Sequence, residues 1–95
     1  MVIRIAHLRE VTNRLFDYFE HQGITSVDVQ QDYYWFIEQK EVYDPSLTRI
    51  EPSIGQLSDD WRELDSIRAG QRPPIGYAFV WLSAVLRAVG ERIDK

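Results

Sequence analysis

Two histidines and a dense set of carboxylates are the groups in this 95-residue chain that bear first on metal binding and proton transfer. His7 and His21 are fourteen residues apart, close to four helical turns, so on one helix they share a face. At about 1.5 Å rise per residue they stand roughly 21 Å apart, too far to ligate one metal within one molecule. Asp59, Asp60 and Glu63 form the tightest acidic cluster. Asp60 and Glu63 fall on one helical face, whereas Asp59 and Asp60 diverge by about 100°. Such a cluster at a helix start serves the helix dipole and the free backbone N–H groups better than it serves a cation. The chain has no cysteine, which excludes a disulfide framework, a thiolate metal site and a cysteine nucleophile. No serine sits in a nucleophile elbow, and Gly55-Gln56-Leu57 is not a phosphate-binding loop. The expectation is a protein that is not an enzyme and carries neither metal nor cofactor.

The concentrated feature is a stretch of aromatics and acids: Asp32, Tyr33, Tyr34, Trp35, Glu38, Glu41, Tyr43 and Asp44. Tyr and Trp anchor interfaces because they bury much area while losing few rotamers. Residues 15–65 hold twelve acidic side chains against Lys40, Arg49 and Arg62, a net of −9, while the whole chain carries −4. A negative field of this kind repels nucleic acid and steers basic partners inward. The residues assigned to partner binding are Asp32, Tyr34, Trp35, Glu38, Glu41, Tyr43, Asp44, Asp59, Asp60 and Glu63. Some of Tyr33, Tyr34, Trp35 and Phe36 must also complete the core.

The elements that position these groups follow from periodicity. Ile5, Leu8, Val11, Leu15, Phe16 and Phe19 recur at helical steps and predict a helix over residues 2–21, stopped by Gly23. Residues 24–52 are irregular, and for 24–44 the pattern fits either a short strand or a buried helical turn. Tyr43-Asp44-Pro45-Ser46 reads as a turn and residues 49–52 as loop. A second helix carries the stripe Leu57, Trp61, Leu64 and Ile67, with Ser58 as N-cap and Gly70 as stop. Pro74 suits the first turn of a third helix over residues 75–92. That helix is apolar nearly all round, which predicts a central place flanked by the other two. Its apolar run of about fifteen residues is shorter than the roughly 20 a membrane span needs. With no secretory signal read at the N-terminus, a cytoplasmic protein without membrane association is expected. The fold expected is a mainly α, compact three-helix domain, one domain over residues 1–95. An irregular aromatic-rich segment with room for a short strand pair separates helices one and two.

Four strings resemble a known group: Asp32-Tyr33-Tyr34-Trp35; Tyr43-Asp44-Pro45; Ile54-Gly55-Gln56-Leu57-Ser58-Asp59-Asp60-Trp61 with Leu64; and Leu86-Arg87-Ala88-Val89-Gly90-Glu91. Together they are similar to small bacterial immunity proteins encoded beside polymorphic toxins, including those of contact-dependent growth inhibition. The resemblance covers roughly residues 23–91, and residues 54–61 are its most specific piece. It implies a cytosolic protein that binds and blocks a cognate toxin domain. Those toxins are often nucleases with basic clefts, against which an acidic inhibitor surface would compete with the nucleic-acid backbone. No contact residue is carried over, because such proteins differ widely in how they bind. Two other readings stand beside it: a small helical adaptor or regulatory module for another basic protein partner, and an enzyme or metal protein using the carboxylates. A neighbouring toxin gene separates the first two, and a divalent-metal titration tests the third.

Overall fold

The computed structural model describes residues 1–37 and 52–94. Its elements are α1 (Ile5–His21), β1 (Tyr33–Phe36), β2 (Ser53–Gln56), α2 (Leu57–Arg68) and α3 (Ala78–Ile93). Among the described residues the chain is thus mainly helical, with three helices and a short antiparallel strand pair between the first and second of them. The turn expected at Tyr43–Ser46 lies outside the described residues.

Two glycines end helices by one device. Gly23 and Gly70 have φ of +87° and +75°, the left-handed region that a side chain disfavours. After α1, Gly23 N–H donates to the Glu20 carbonyl and Ile24 N–H to the Phe19 carbonyl, both at 3.0 Å. After α2, Gly70 N–H donates to Ile67 at 3.1 Å and Gln71 N–H to Ser66 at 2.8 Å. Both are the paired bonds of a Schellman motif, which satisfy carbonyls the helix itself leaves free. Helix starts depart from the sequence reading. α1 begins at Ile5 rather than Val2, and α3 at Ala78 rather than Ile75. Before α3, Ile75–Tyr77 form a turn in which Ala78 N–H reaches the Ile75 carbonyl at 3.1 Å. Gly76 is a poor helix former there, and Pro74 precedes the helix instead of opening it.

Within the segment left open between strand and helical turn, Tyr33–Phe36 is a strand. Tyr33 pairs with Gln56, Tyr34 with Gly55, Trp35 with Ile54 and Phe36 with Ser53. An isolated two-stranded ribbon is marginal in water. Here its inner face, Tyr34 and Phe36, turns toward Tyr77, just before α3, and Val80 and Trp81 of α3 across an open cleft of about 480 Å³. Packing between α2 and α3 supplies the centre. Leu57 and Ala88 are the buried apolar residues among those described. Leu64, Ile67, Leu82, Val85, Leu86 and Val89 are half-buried around them. The apolar circumference of α3 is only partly covered, since Phe79 at its start is 64% exposed. α1 meets α3 across a second apolar cleft of about 520 Å³, lined by Leu15, Phe16 and Phe19 on one side and Leu86, Val89 and Ile93 on the other. No helix among the described residues is long and apolar enough to cross a membrane.

Candidate partner-binding surface

In a strand, successive side chains point to opposite faces. β1 therefore splits its aromatic run in two. Tyr34 and Phe36 go inward, with ring centroids 6.0 Å apart. Tyr33 and Trp35 go outward and are 64% and 68% exposed. Ile37 continues the outward set, and Ile54 joins it as the β2 partner of Trp35. Tyr33, Trp35 and Ile54 line one shallow apolar depression on the ribbon, which Tyr34 also borders. Exposed aromatics grouped in this way suit a protein interface, because they release much apolar area from water at small conformational cost.

The inner face explains why the ribbon holds its place on α2. The Asp32 main-chain carbonyl accepts from Leu57 N–H at 2.6 Å. Its carboxylate accepts from Ser58 N–H at 3.0 Å and from the Gln56 side-chain amide at 2.8 Å. These two bonds, the amide's first, hold the Asp32 carboxyl below its ordinary 3.8. Asp32 thereby caps α2 from across the chain. Ser58, expected as N-cap, lies inside the helix and donates its backbone N–H instead, and Gln56 occupies the cap position without a side-chain cap bond. Next to this, the Tyr34 hydroxyl donates to Asp60, which is buried at 8% exposure. Burial, then the hydrogen bond to Asp60 and its charge, push the Tyr34 phenol well above its ordinary 10.0. Gly55 lies directly across from Tyr34, and any Cβ there would overlap the tyrosine ring. Glycine is required here for space, since its φ is not in the left-handed region.

These contacts sort the residues assigned to binding. Trp35 is on the outer surface, as a binding anchor must be. Asp59 is exposed and pairs with Arg62 at 3.4 Å, one turn away on the same helix. Asp32, Tyr34 and Asp60 are occupied within the fold, and Glu63 makes an ion pair with Arg72, which itself lies 5.3 Å over the Trp81 ring. Asp65 is also taken, by Arg68 at 2.6 Å. The acidic field is therefore thinner at the surface than the count of charges implies. Glu38, Glu41, Tyr43 and Asp44 lie outside the described residues. On α2 the buried arc is Leu57, Asp60, Leu64 and Ile67, while Trp61, read as part of the stripe, is 52% exposed at its edge. A carboxylate takes the core position because the Tyr34 hydroxyl satisfies it.

Sequence reasoning placed Tyr33 in the aromatic stretch but assigned neither it nor Ile37 and Ile54 to partner binding. The signal was present: once residues 33–36 are a strand, alternation groups 33, 35 and 37 and separates Tyr34 from Trp35. Among the described residues, no three His, Asp or Glu side chains gather as a metal site would require. Comparison with protein-family models, with curated proteins and with solved structures finds no match to this chain.

Proposed function

We propose that this protein is an immunity protein, which binds and neutralises a cognate toxin domain in the cytosol and performs no catalysis. The outer face of the ribbon carries the reading: Tyr33, Trp35, Ile37 and Ile54 are all about half or more exposed on one side of a sheet whose other side is turned toward the helices. A fold that needed these side chains for its own stability would have covered them. The acidic balance of residues 15–65 favours a basic partner, and a nuclease domain is the class whose substrate cleft has that charge. The four family-like strings agree with this assignment, although several of their residues, among them Asp32, Tyr34, Gly55 and Asp60, act in the fold. The ribbon is thus the anchor and the acids steer the approach.

The test is co-expression with the toxin domain encoded beside this chain, read as growth and as a binding isotherm of the purified pair. Wild type should restore growth. The double variant Tyr33→Ala and Trp35→Ala should fail to restore it while keeping a native far-UV spectrum, since both side chains are exposed. Dissociation should quicken by at least about a hundredfold, as expected for two aromatic anchors. Full protection by the double variant, or no interaction with any toxin domain encoded alongside, would refute the proposal.

A further inference from the structure

The open cleft between the ribbon's inner face and α3 joins two kinds of group that rarely meet without a cation. Its walls are aromatic. Tyr34 and Phe36 stand on the ribbon side with ring centroids 6.0 Å apart. Tyr77 and Trp81 stand on the helix side, 5.7 Å apart and edge to face. Asp60 lines the same cleft and is only 8% exposed. Its Oδ2 accepts from the Tyr34 hydroxyl, and among the described residues no other hydrogen bond reaches this carboxylate. No described Lys or Arg pairs with it either, because the cations nearby are engaged elsewhere: Arg62 with Asp59, Arg72 with Glu63 and Arg87 with Glu91. Asp60 lies in the first turn of α2, where the helix dipole offsets only about half a charge. A buried carboxylate left in this state costs free energy that a cation of the right shape recovers.

We propose that this cleft receives an arginine side chain presented by a basic protein partner, with Asp60 as the counter-ion and the four rings as walls. Charge complementarity selects the occupant. An anion meets the Asp60 carboxylate, and a neutral group leaves that carboxylate without a counter-charge. A cation gains from the carboxylate and from the negative faces of the rings together. Guanidinium suits the walls better than ammonium, because it is planar, stacks on aromatic faces and is more weakly hydrated. The chain already uses this contact once: the Arg72 guanidinium lies 5.3 Å over the Trp81 ring. Arg87 also borders the cleft, but its side chain is 81% exposed and bound to Glu91 at 3.0 Å, so its charge is held outward. That the partner is a toxin rests on the function proposed above. The cation site itself does not, and it uses the face of the ribbon opposite Tyr33 and Trp35.

Titration of the free protein with Nα-acetylarginine amide at constant ionic strength, followed by amide and indole NMR shifts, tests the site without any toxin. Saturable shifts at Tyr77 and Trp81 with a Kd on the order of 1 mM are expected for a single side chain. Nα-acetylcitrulline amide has the same shape without the charge and should bind at least about tenfold more weakly. Asp60→Asn keeps an acceptor for the Tyr34 hydroxyl, removes the charge, and should weaken arginine binding about tenfold while leaving citrulline binding unchanged. Tyr77→Leu removes one wall at a residue that is 55% exposed, so the fold persists, and should weaken binding about threefold. Arg87→Ala removes a like charge from the border and should tighten it. No saturable shift at these residues up to about 50 mM probe would overturn the inference, as would equal binding of arginine and citrulline amides or an Asp60→Asn protein with wild-type affinity. Free arginine binding about tenfold tighter than the blocked form would overturn the commitment to a side chain, by showing a site for the amino acid itself. Failure on any of these counts leaves the growth assay with the toxin unaffected, and failure of that assay leaves this titration unaffected.

Discussion

Tyr34→Phe isolates the contact that seats the ribbon on α2. The substitution keeps the ring against Gly55 and Phe36 and removes only the hydroxyl that donates to Asp60. Asp60 is 8% exposed, so water cannot freely replace the lost donor. A hydrogen bond to a charged and largely buried group contributes about 1.5–3 kcal/mol, and its loss leaves that carboxylate short of a partner. We expect about 2 kcal/mol of destabilisation. With a urea slope near 1 kcal/mol/M for a chain of this size, the midpoint should fall by about 2 M. The thermal midpoint should fall by about 10 °C. Three tryptophans make fluorescence a direct readout of the transition. Asp60→Ala and the double variant complete a cycle. The two sites touch, so their coupling should be on the order of 1–3 kcal/mol. A Tyr34→Phe protein within about 0.5 kcal/mol of wild type, with no coupling in the cycle, would show that the ribbon is held by something else.

The same contacts predict both limbs of the pH–stability curve. Tyr34 has a folded pKa above its unfolded value, so its contribution is whole below pH 10.0 and is lost as pH rises through the folded value. Alkaline unfolding should therefore steepen above pH 10 in wild type and less so in Tyr34→Phe. Asp32 has a folded pKa below 3.8, so its contribution is present above that value and disappears as pH falls through the folded pKa. Acid titration monitored by circular dichroism should show a shallower loss below pH 4 for Asp32→Asn, from an already less stable start at neutral pH. Gly55→Ala should cost about 1–3 kcal/mol, because its Cβ displaces the Tyr34 ring and with it the bond to Asp60. A wild-type melting temperature for Gly55→Ala would contradict that packing. Arg72→Ala removes an ion pair with Glu63 and a cation–π contact with Trp81, both partly exposed, and should cost only about 1 kcal/mol in a denaturant titration.

Local rules wrote the helical part of this protein. The three- and four-residue apolar steps of α1, the stripe of α2 and the apolar run of α3 identify three helices, and Gly23 and Gly70 mark two ends, because a helix's period and its left-handed exit are properties of short stretches of chain. The strand was only half legible. Tyr33–Phe36 is uniformly bulky, so no alternation shows which face is wet, and Ser53–Gln56 has too little apolar character to announce itself. Pairing across an intervening stretch of sixteen residues, from Phe36 to Ser53, is what makes each of them a strand and sends Tyr34 and Trp35 to opposite sides. The acids show the same division. Asp32, Asp59, Asp60 and Glu63 look alike in sequence as a negative field. Tertiary structure makes the first a helix cap, the third a buried acceptor and the fourth an ion-pair partner, and leaves Asp59 at the surface. Composition fixes how much charge a chain carries, but the partner each charge meets is set by long-range packing, and only that packing separates the residues that hold the fold from those left for another molecule.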